Sequence, residues 1–594
     1  MAVLRPGRWV RHLAVPAVAS LAALTTALTT APAIPAAAGT VAAGPRADTD
    51  VIVAYTDAAA AERAVAAVGG TTTRRLDLVD SIAATVPASG LRGLATASGV
   101  RTVTPDGSVR LKAARWRADT DENSLYSIEA GNGAQRVWTM KDAAGRTVTG
   151  KGVGVALIDS GISPVEGLNA PGKVVNGPDL SLEAPAVVTR HLDTFGHGTH
   201  MAGIIAGRDT AVRAGYESDP RNFTGVAPDA TLINVKVAAA DGAVDVSQVI
   251  AAIDWVVAHR NDAGLNIRVL NLSFGTDSAQ DPRLDPLSHA VEAAWRLGIV
   301  VVVAVGNDGP TATRVSMPAA NPYVIAVGGA DPRGTAVRTD DIVGDFSTRG
   351  SATRHADLLA AGKSVVSLRV PGSYIDINYP TGRLPSDPAQ RLFRGSGTSQ
   401  ATAVVSGAAA LLLQQRPTLT PDQVKRLLMT TTDKMPTADP ISAGEGQLNI
   451  AAAAAAPTPA YVQTWPASRG TGTLEGARGS AHIADPVTGV ELRGERDIMG
   501  SSWNPGVWSA AALTARTWSG GVWNGRTWSG SSWSGYSWTS RTWSSALWTG
   551  TTWTGALWSS RTWSDAVWDG RTWSARTWSA RTWSARTWSG SCWT

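Results

Sequence analysis

The sequence predicts an α/β protein built on a parallel sheet flanked by helices, and three observations carry that expectation. From Val153 to about Ala455, apolar strand patterns alternate with amphipathic helix patterns. Runs such as Ile299-Val300-Val301-Val302-Val303 lack polar alternation, which suits strands covered on both faces. A stretch of about 300 residues can bury a large core without covalent staples, in keeping with one cysteine, Cys592, among 594 residues. Charged residues make up 17% and hydrophobic ones 44%, which excludes wholesale disorder. A lone cysteine also excludes an intramolecular disulfide framework and a Cys-ligated zinc site.

Residues 1–38 read as a secretory signal peptide. Arg5, Arg8 and Arg11 precede an Ala/Leu/Val run from Leu13 to Leu28, followed by small-residue sites at Ala31-Pro32-Ala33 and Ala36-Ala37-Ala38. The alternative is a signal anchor left uncut. No later stretch reaches roughly 18 uninterrupted apolar residues, so the protein is expected to be secreted. A small α/β unit follows. Val51–Tyr55 is strand-like, and Ala58–Val68 is helix-like and closed by Gly69-Gly70. Further strand patterns lie at Leu76–Val86 and Val100–Val109, with a short helix near Leu91–Ala97, giving a β-α-β-β order.

In the middle third, strands are expected at Val153–Ile158, Thr231–Val237, Ile267–Ser273, Ile299–Val305 and Tyr323–Val327. Helices are expected at Ser247–Arg260, Leu287–Leu297, Thr398–Gln415 and Pro421–Thr431. In such a sheet the site lies at the carboxyl ends of the strands, and three segments fall there. Asp159 ends the first strand, His197 lies in Asp193-Thr194-Phe195-Gly196-His197-Gly198-Thr199-His200, and Ser399 lies in Gly395-Ser396-Gly397-Thr398-Ser399 at a helix head. A serine hydroxyl is a poor nucleophile near neutral pH. It needs an imidazole to take its proton and a carboxylate to hold that imidazole in the right tautomer.

The chain resembles the subtilisin-family (subtilase, S8) serine proteases over roughly residues 130–455, in the order Asp, His, Ser and in all three motifs. The resemblance implies that Ser399 is the nucleophile, His197 the general base and then acid, and Asp159 the orienting carboxylate. Val303-Ala304-Val305-Gly306-Asn307 resembles the family's oxyanion-hole strand, so Asn307 is expected beside the Ser399 backbone N–H. His200 is read as structural, since no HExxH signature or third ligand accompanies the pair.

By the same resemblance, Ser273-Phe274-Gly275 and Gly242-Ala243-Val244 are the two edges between which an extended substrate pairs as an added strand. Ala304, Val305 and Gly306 are expected to wall the specificity pocket, with Ser316 near its floor. None of these residues is acidic, so an apolar or uncharged side chain is expected before the scissile bond. The chain departs from the family at Gln400, where Met is common, and at Ala403 and Val404, where Pro and His are frequent. Without that proline the serine helix is expected to run straighter. No cofactor is required for this chemistry. Asp209, Glu217 and Asp219, in a polar insertion, are candidates for a structural calcium, with a solvated loop as the alternative.

Residues 48–112 then resemble the family's inhibitor-type propeptide, an intramolecular inhibitor expected to be cleaved off between about Arg110 and Tyr126; a permanent N-terminal binding domain is the alternative. The catalytic domain is placed at 126–455 and a Gly/Pro/Ala-rich linker at 456–500. Residues 501–594 form a tail that repeats every five residues. It holds 18 of the 24 Trp, and its eight Arg and two Asp account for the whole of the +5 net charge. A five-residue period fits neither a helix nor one flat strand, which leaves stacked short strands or a flexible chain. Trp beside Arg suits binding to cell-wall polysaccharide at the cell surface, whereas a self-packing stalk needs no ligand. Base stacking on nucleic acid does not suit an exported protein. Cys592 is expected as a free thiol. Protein or peptide substrates are the expected partners, against the alternative of a non-catalytic adhesin or scaffold that acts through the tail.

Overall fold

The computed structural model describes residues 48–106 and 116–527, apart from 185, 187, 336, 385, 386, 388, 485–489, 520, 521, 524 and 525. The expected signal peptide, most of the expected cleavage region, the tail beyond 527 and Cys592 lie outside the described residues. The chain divides into two compact units between Lys112 and Ala113.

The smaller unit is a four-stranded antiparallel sheet in the order Thr71–Leu76, Ser81–Pro87, Asp48–Tyr55, Val100–Pro105. The Asp57 side chain caps its helix Ala58–Ala67 by accepting from the Ala60 amide, and Val51, Val53, Val65, Ile82, Val86 and Leu94 form the core. The expected strand Leu76–Val86 is two strands joined by a turn at Asp77–Asp80, where Asp80 takes φ 44°. Thr71–Leu76 carries no apolar alternation because it is the exposed edge strand.

In the larger unit the strands run Ile342–Val343, Ile325–Asp331, Val300–Ala304, Ile267–Leu272, Gly154–Asp159, Thr231–Lys236, Val174–Asp179 across one sheet. All are parallel except the short antiparallel edge Ile342–Val343, and Leu358–Ala361 adds a further parallel pairing on Ile325–Asp331. The helices His197–Ala206 and Thr398–Gln415 pack against each other, as do Val246–His259 and Pro286–Arg296. Every residue of Val300–Ala304 is buried, as a strand covered on both faces requires. The sequence pattern did not disclose Val174–Asp179, whose half-buried, Asn/Gly/Pro-containing stretch is an edge strand.

Residues 456–500 are not a linker. Leu474, Ala477, Ile483, Leu492 and Ile498 are buried against the larger unit, and Leu474–Arg478 is helical. The tail also starts differently from a uniform repeat. Asn504 caps a helix, Pro505–Ala512, after which Trp518–Ser519, Val522–Trp523 and Arg526–Thr527 form a small antiparallel ladder. Trp503, Trp508 and Trp523 face inward, and the buried Asp254 carboxylate on the helix Val246–His259 accepts from both the Trp508 and Trp523 indoles at 2.8 Å. Over these residues the self-packing alternative describes the tail, because Trp503, Trp508 and Trp523 are buried and the indoles of Trp508, Trp518 and Trp523 find hydrogen-bond acceptors on their own chain.

Candidate active site

Asp159 is the last residue of the central strand, which is paired in parallel on both sides, and Asp159 itself pairs with Lys236. Its carboxylate faces the His197 ring, with Nδ1 2.8 Å from Oδ1 and 2.9 Å from Oδ2. Both side chains are 1% exposed, so the pair is dry. His197 opens the helix His197–Ala206, and Gly198 beside it is required by close approach: a Cβ there would lie 2.2 Å from the Gly161 carbonyl oxygen.

Behind this pair lies a network that motif reading did not single out. Ser160 Oγ donates to Asp193 Oδ1 at 2.8 Å, and its backbone N–H donates to Asp159 Oδ1 at 2.8 Å. The Asp193 carboxylate takes the amides of Gly196 and Thr199, at 2.6 and 2.7 Å, and thereby shapes the turn that carries His197. Burial nonetheless pushes the Asp193 carboxyl above its ordinary range. Next door, Lys236 is fully buried, pairs with Glu183 at 2.7 Å and donates to the Ser160 and Leu192 carbonyls. These residues tie together the two loops that bear Asp159 and His197. Asp193 was in plain view, four residues ahead of the histidine; Lys236 and Glu183 had no local signal.

Ser399 is the second residue of the helix Thr398–Gln415, which runs unbroken for 18 residues with Ala403 inside it. At this position the backbone N–H groups of the first turn have no helical partner and the positive end of the helix dipole faces the site. Ser399 Oγ donates to the Ser273 carbonyl at 2.8 Å, and Ser273 Oγ returns a bond to the Ser399 carbonyl at 3.1 Å. Asn271 Nδ2 donates to Ser273 Oγ, and Ser406 Oγ donates to Asn271 Oδ1, both at 2.8 Å. Asn307 Oδ1 accepts from the Thr398 N–H at 2.9 Å and its hydroxyl at 3.0 Å. The amide oxygen is therefore held by the helix head, and Nδ2 lies 3.3 Å from where a Gly397 Cβ would sit. Gln400 is buried directly after the serine.

The model of the subtilase family matches residues 150–452. The chain belongs to the subtilase family. It is 39% identical over 311 residues to the serine protease AprX of Bacillus subtilis, a match that spans 51% of this chain and 66% of that relative, just under two thirds of its length. It is 32% identical over 313 residues to a subtilisin of Bacillus pumilus, spanning 52% of this chain and 92% of that one. Among solved structures it is similar to fervidolysin from Fervidobacterium pennivorans, a keratinolytic enzyme related to subtilisin, at 22% identity and a TM-score of 0.42, over 71% of this chain and 63% of that one.

Several other residues that the subtilase resemblance pointed to fall next to one another. The Ser316 amide donates to the Val305 carbonyl at 2.9 Å, which puts Ser316 beside Ala304, Val305 and Gly306, and Thr276 bridges Met317 just past Ser273-Phe274-Gly275. The edge Gly242-Ala243-Val244 differs from expectation. Ala243 is packed under Ile483, Leu492 and Ile498 of the chain's own later segment instead of standing as an open edge. Asp241, just before it, is pushed up to about 7 by burial. Tyr374, which opens the short helix Tyr374–Asn378 in a stretch with no motif, stacks on Phe195 at 5.5 Å and was not anticipated.

His200 is fully buried with Nε2 3.2 Å from the Phe393 carbonyl, and burial together with the neighbouring His197 lowers it to about 3. It is thus a neutral packing residue. The three carboxylates considered for calcium are engaged elsewhere. Asp209 binds Arg391 and the Phe223 amide, Glu217 takes the Gly215 amide, and Asp219 is paired with Arg221. They do not fit a cation, and no group of three or more metal-ligating side chains occurs among the described residues.

Proposed function

We propose that the protein is an exported serine endopeptidase that cleaves proteins or peptides through a Ser399 acyl-enzyme. The observation that carries this reading is the dry contact of His197 Nδ1 with both Asp159 oxygens; Ser399 at a helix head whose Thr398 holds Asn307 supports it. Asp159 fixes the tautomer with the proton on Nδ1, so that Nε2 is the basic nitrogen. The Ser399 hydroxyl then turns from the Ser273 carbonyl, gives its proton to His197 Nε2, and its oxygen attacks the scissile carbonyl carbon. The Asn307 Nδ2–H and the Ser399 backbone N–H receive the oxyanion. Collapse of this intermediate breaks the C–N bond, and the imidazolium returns the proton to the leaving amine. Water, activated by the same nitrogen, hydrolyses the ester.

The substrate's residues ahead of the cut lie along Ser273, Phe274 and Gly275, and the side chain just before the cut enters the pocket of Ala304–Gly306 and Ser316. That lining is uncharged and favours an apolar residue. No metal or organic cofactor takes part. Residues 1–38 direct export, and 48–112 serve as an intramolecular inhibitor removed during maturation. No helix among the described residues is long and apolar enough to cross a membrane. A fluorophosphonate probe tests the reading: the matured protein is expected to be labelled and Ser399→Ala is not. Absence of labelling between pH 7 and 9 would instead support a scaffold without catalysis.

A further inference from the structure

We infer that residues 474–484 and 490–498 clip over the far end of the substrate groove and limit how many substrate residues can be held ahead of the scissile bond. This rests on the endopeptidase reading and deepens it by naming the substrate class.

The groove begins at Ser399, whose hydroxyl touches the Ser273 carbonyl. From there its edge runs through Phe274 and Gly275, and two residues on Asp277 is held by the later chain. The Ser480 N–H and hydroxyl donate to the two Asp277 carboxylate oxygens at 2.7 and 2.6 Å. The opposite edge is held in the same way. Asp245, which directly follows Val244, accepts from Arg478 Nε at 2.6 Å. Arg478 is fully buried, and its remaining nitrogens donate to the carbonyls of Gly494 and Arg496. Arg478 and Ser480 are thus two residues apart on one strand of chain and anchor the two opposite edges. Gly479 between them takes φ +63°, and a Cβ there would lie 2.1 Å from Asp277 Oδ1, so this crossing has no room for a side chain.

Apolar contacts close the arrangement on the Gly242–Val244 side. Ile483, Leu492 and Ile498 pack on Leu182, Ala239 and Ala243, and the Ile498 amide donates to Ser247 Oγ at 2.8 Å. An extended substrate advances about 3.3 Å per residue. The edge from Ser273 to Gly275 therefore pairs with about three residues before the Asp277–Ser480 junction. Residues farther from the cut gain no groove to bind in. The substrates expected are peptides and flexible protein segments selected by the three residues ahead of the cut, with residues farther out adding no affinity.

The test is a ladder of chromogenic peptides with one to six residues ahead of the cut, assayed on the matured full-length protein. In the wild type kcat/KM is expected to climb to the third residue and then stay within about twofold. Ser480→Asp sets a carboxylate against Asp277 and is expected to raise the ratio of six-residue to three-residue kcat/KM about tenfold. Asp277→Ala opens the same junction should the first variant misfold. A wild-type gain of about tenfold at the fourth and fifth residues overturns the clip while leaving the endopeptidase reading intact, as does a profile that neither variant changes. No cleavage of any peptide by fluorophosphonate-reactive protein overturns both.

Discussion

The sheet that bears Asp159 and Asn271 and the segment 456–527 that wraps the same unit reach similar burial by different chemistry. In the sheet, Val, Ile, Leu and Ala fill the interior while the backbone polar groups pair with one another in parallel ladders. In the wrap, single large residues stand between glycines and prolines, and buried charges do much of the holding. Arg478 lies on Asp245 with both side chains fully buried, Asp254 accepts from two indoles, and Trp503 packs 5.1 Å from Trp508. A periodic apolar strand tolerates the loss of one contact because its neighbours in the ladder remain. Apart from the short ladder at 518–527, the described residues of the wrap are joined by isolated bridges, so each anchor there matters singly.

The largest effect expected from this contrast is at Arg478. Arg478→Ala strands the buried Asp245 carboxylate and should cost about 3–5 kcal/mol of stability, measured by denaturant unfolding. A loss below about 1 kcal/mol would show that the wrap is as redundant as the sheet.

Asn307 sharpens the opposite half of the comparison, since it lies just past the sheet strand Val300–Ala304 and touches the serine helix. Asn307→Ala should lower kcat about 10²–10³-fold, while the lost bond to the Thr398 amide removes only about 1 kcal/mol of stability. Equal losses of rate and of folded protein would place Asn307 among packing residues instead.

The smallest effect concerns Asp254, which burial pushes up to about 7. Its carboxyl binds a proton more tightly folded than unfolded, where the value is about 3.9. Stability from this group is therefore fully present below about pH 4 and is lost as pH rises through about 7. Asp254→Asn keeps an oxygen for the Trp508 and Trp523 indoles but cannot ionise. It should flatten the fall in stability between pH 5 and 8 by about 1–3 kcal/mol; an unaltered pH profile would mean that the indoles hold the carboxylate ionised.

Much of the site could be read directly because its signals are local. Asp159, His197, Ser399 and Asn307 each sit at the end of an apolar strand or the head of a helix, and the strand–helix alternation alone set those ends on one rim. The serine helix starts and stops where its apolar run does, from Thr398 to Gln415. Such features belong to a single stretch of chain, since period and capping are properties of neighbours along the backbone.

The wrap, the covered Ala243, the Lys236–Glu183 pair and the Asp193–Ser160 relay belong to two stretches at once. Ile483 between His482 and Ala484 shows no period, and it becomes a core residue only because Leu182 and Ala239 leave a socket for it. Arg478 resembles any surface arginine until Asp245, more than two hundred residues earlier, is found beneath it. Composition in 456–500 reported glycine and proline truthfully, yet those residues serve to bend the chain from socket to socket. Period survives in one dimension; complementarity between distant partners exists only once the chain has folded.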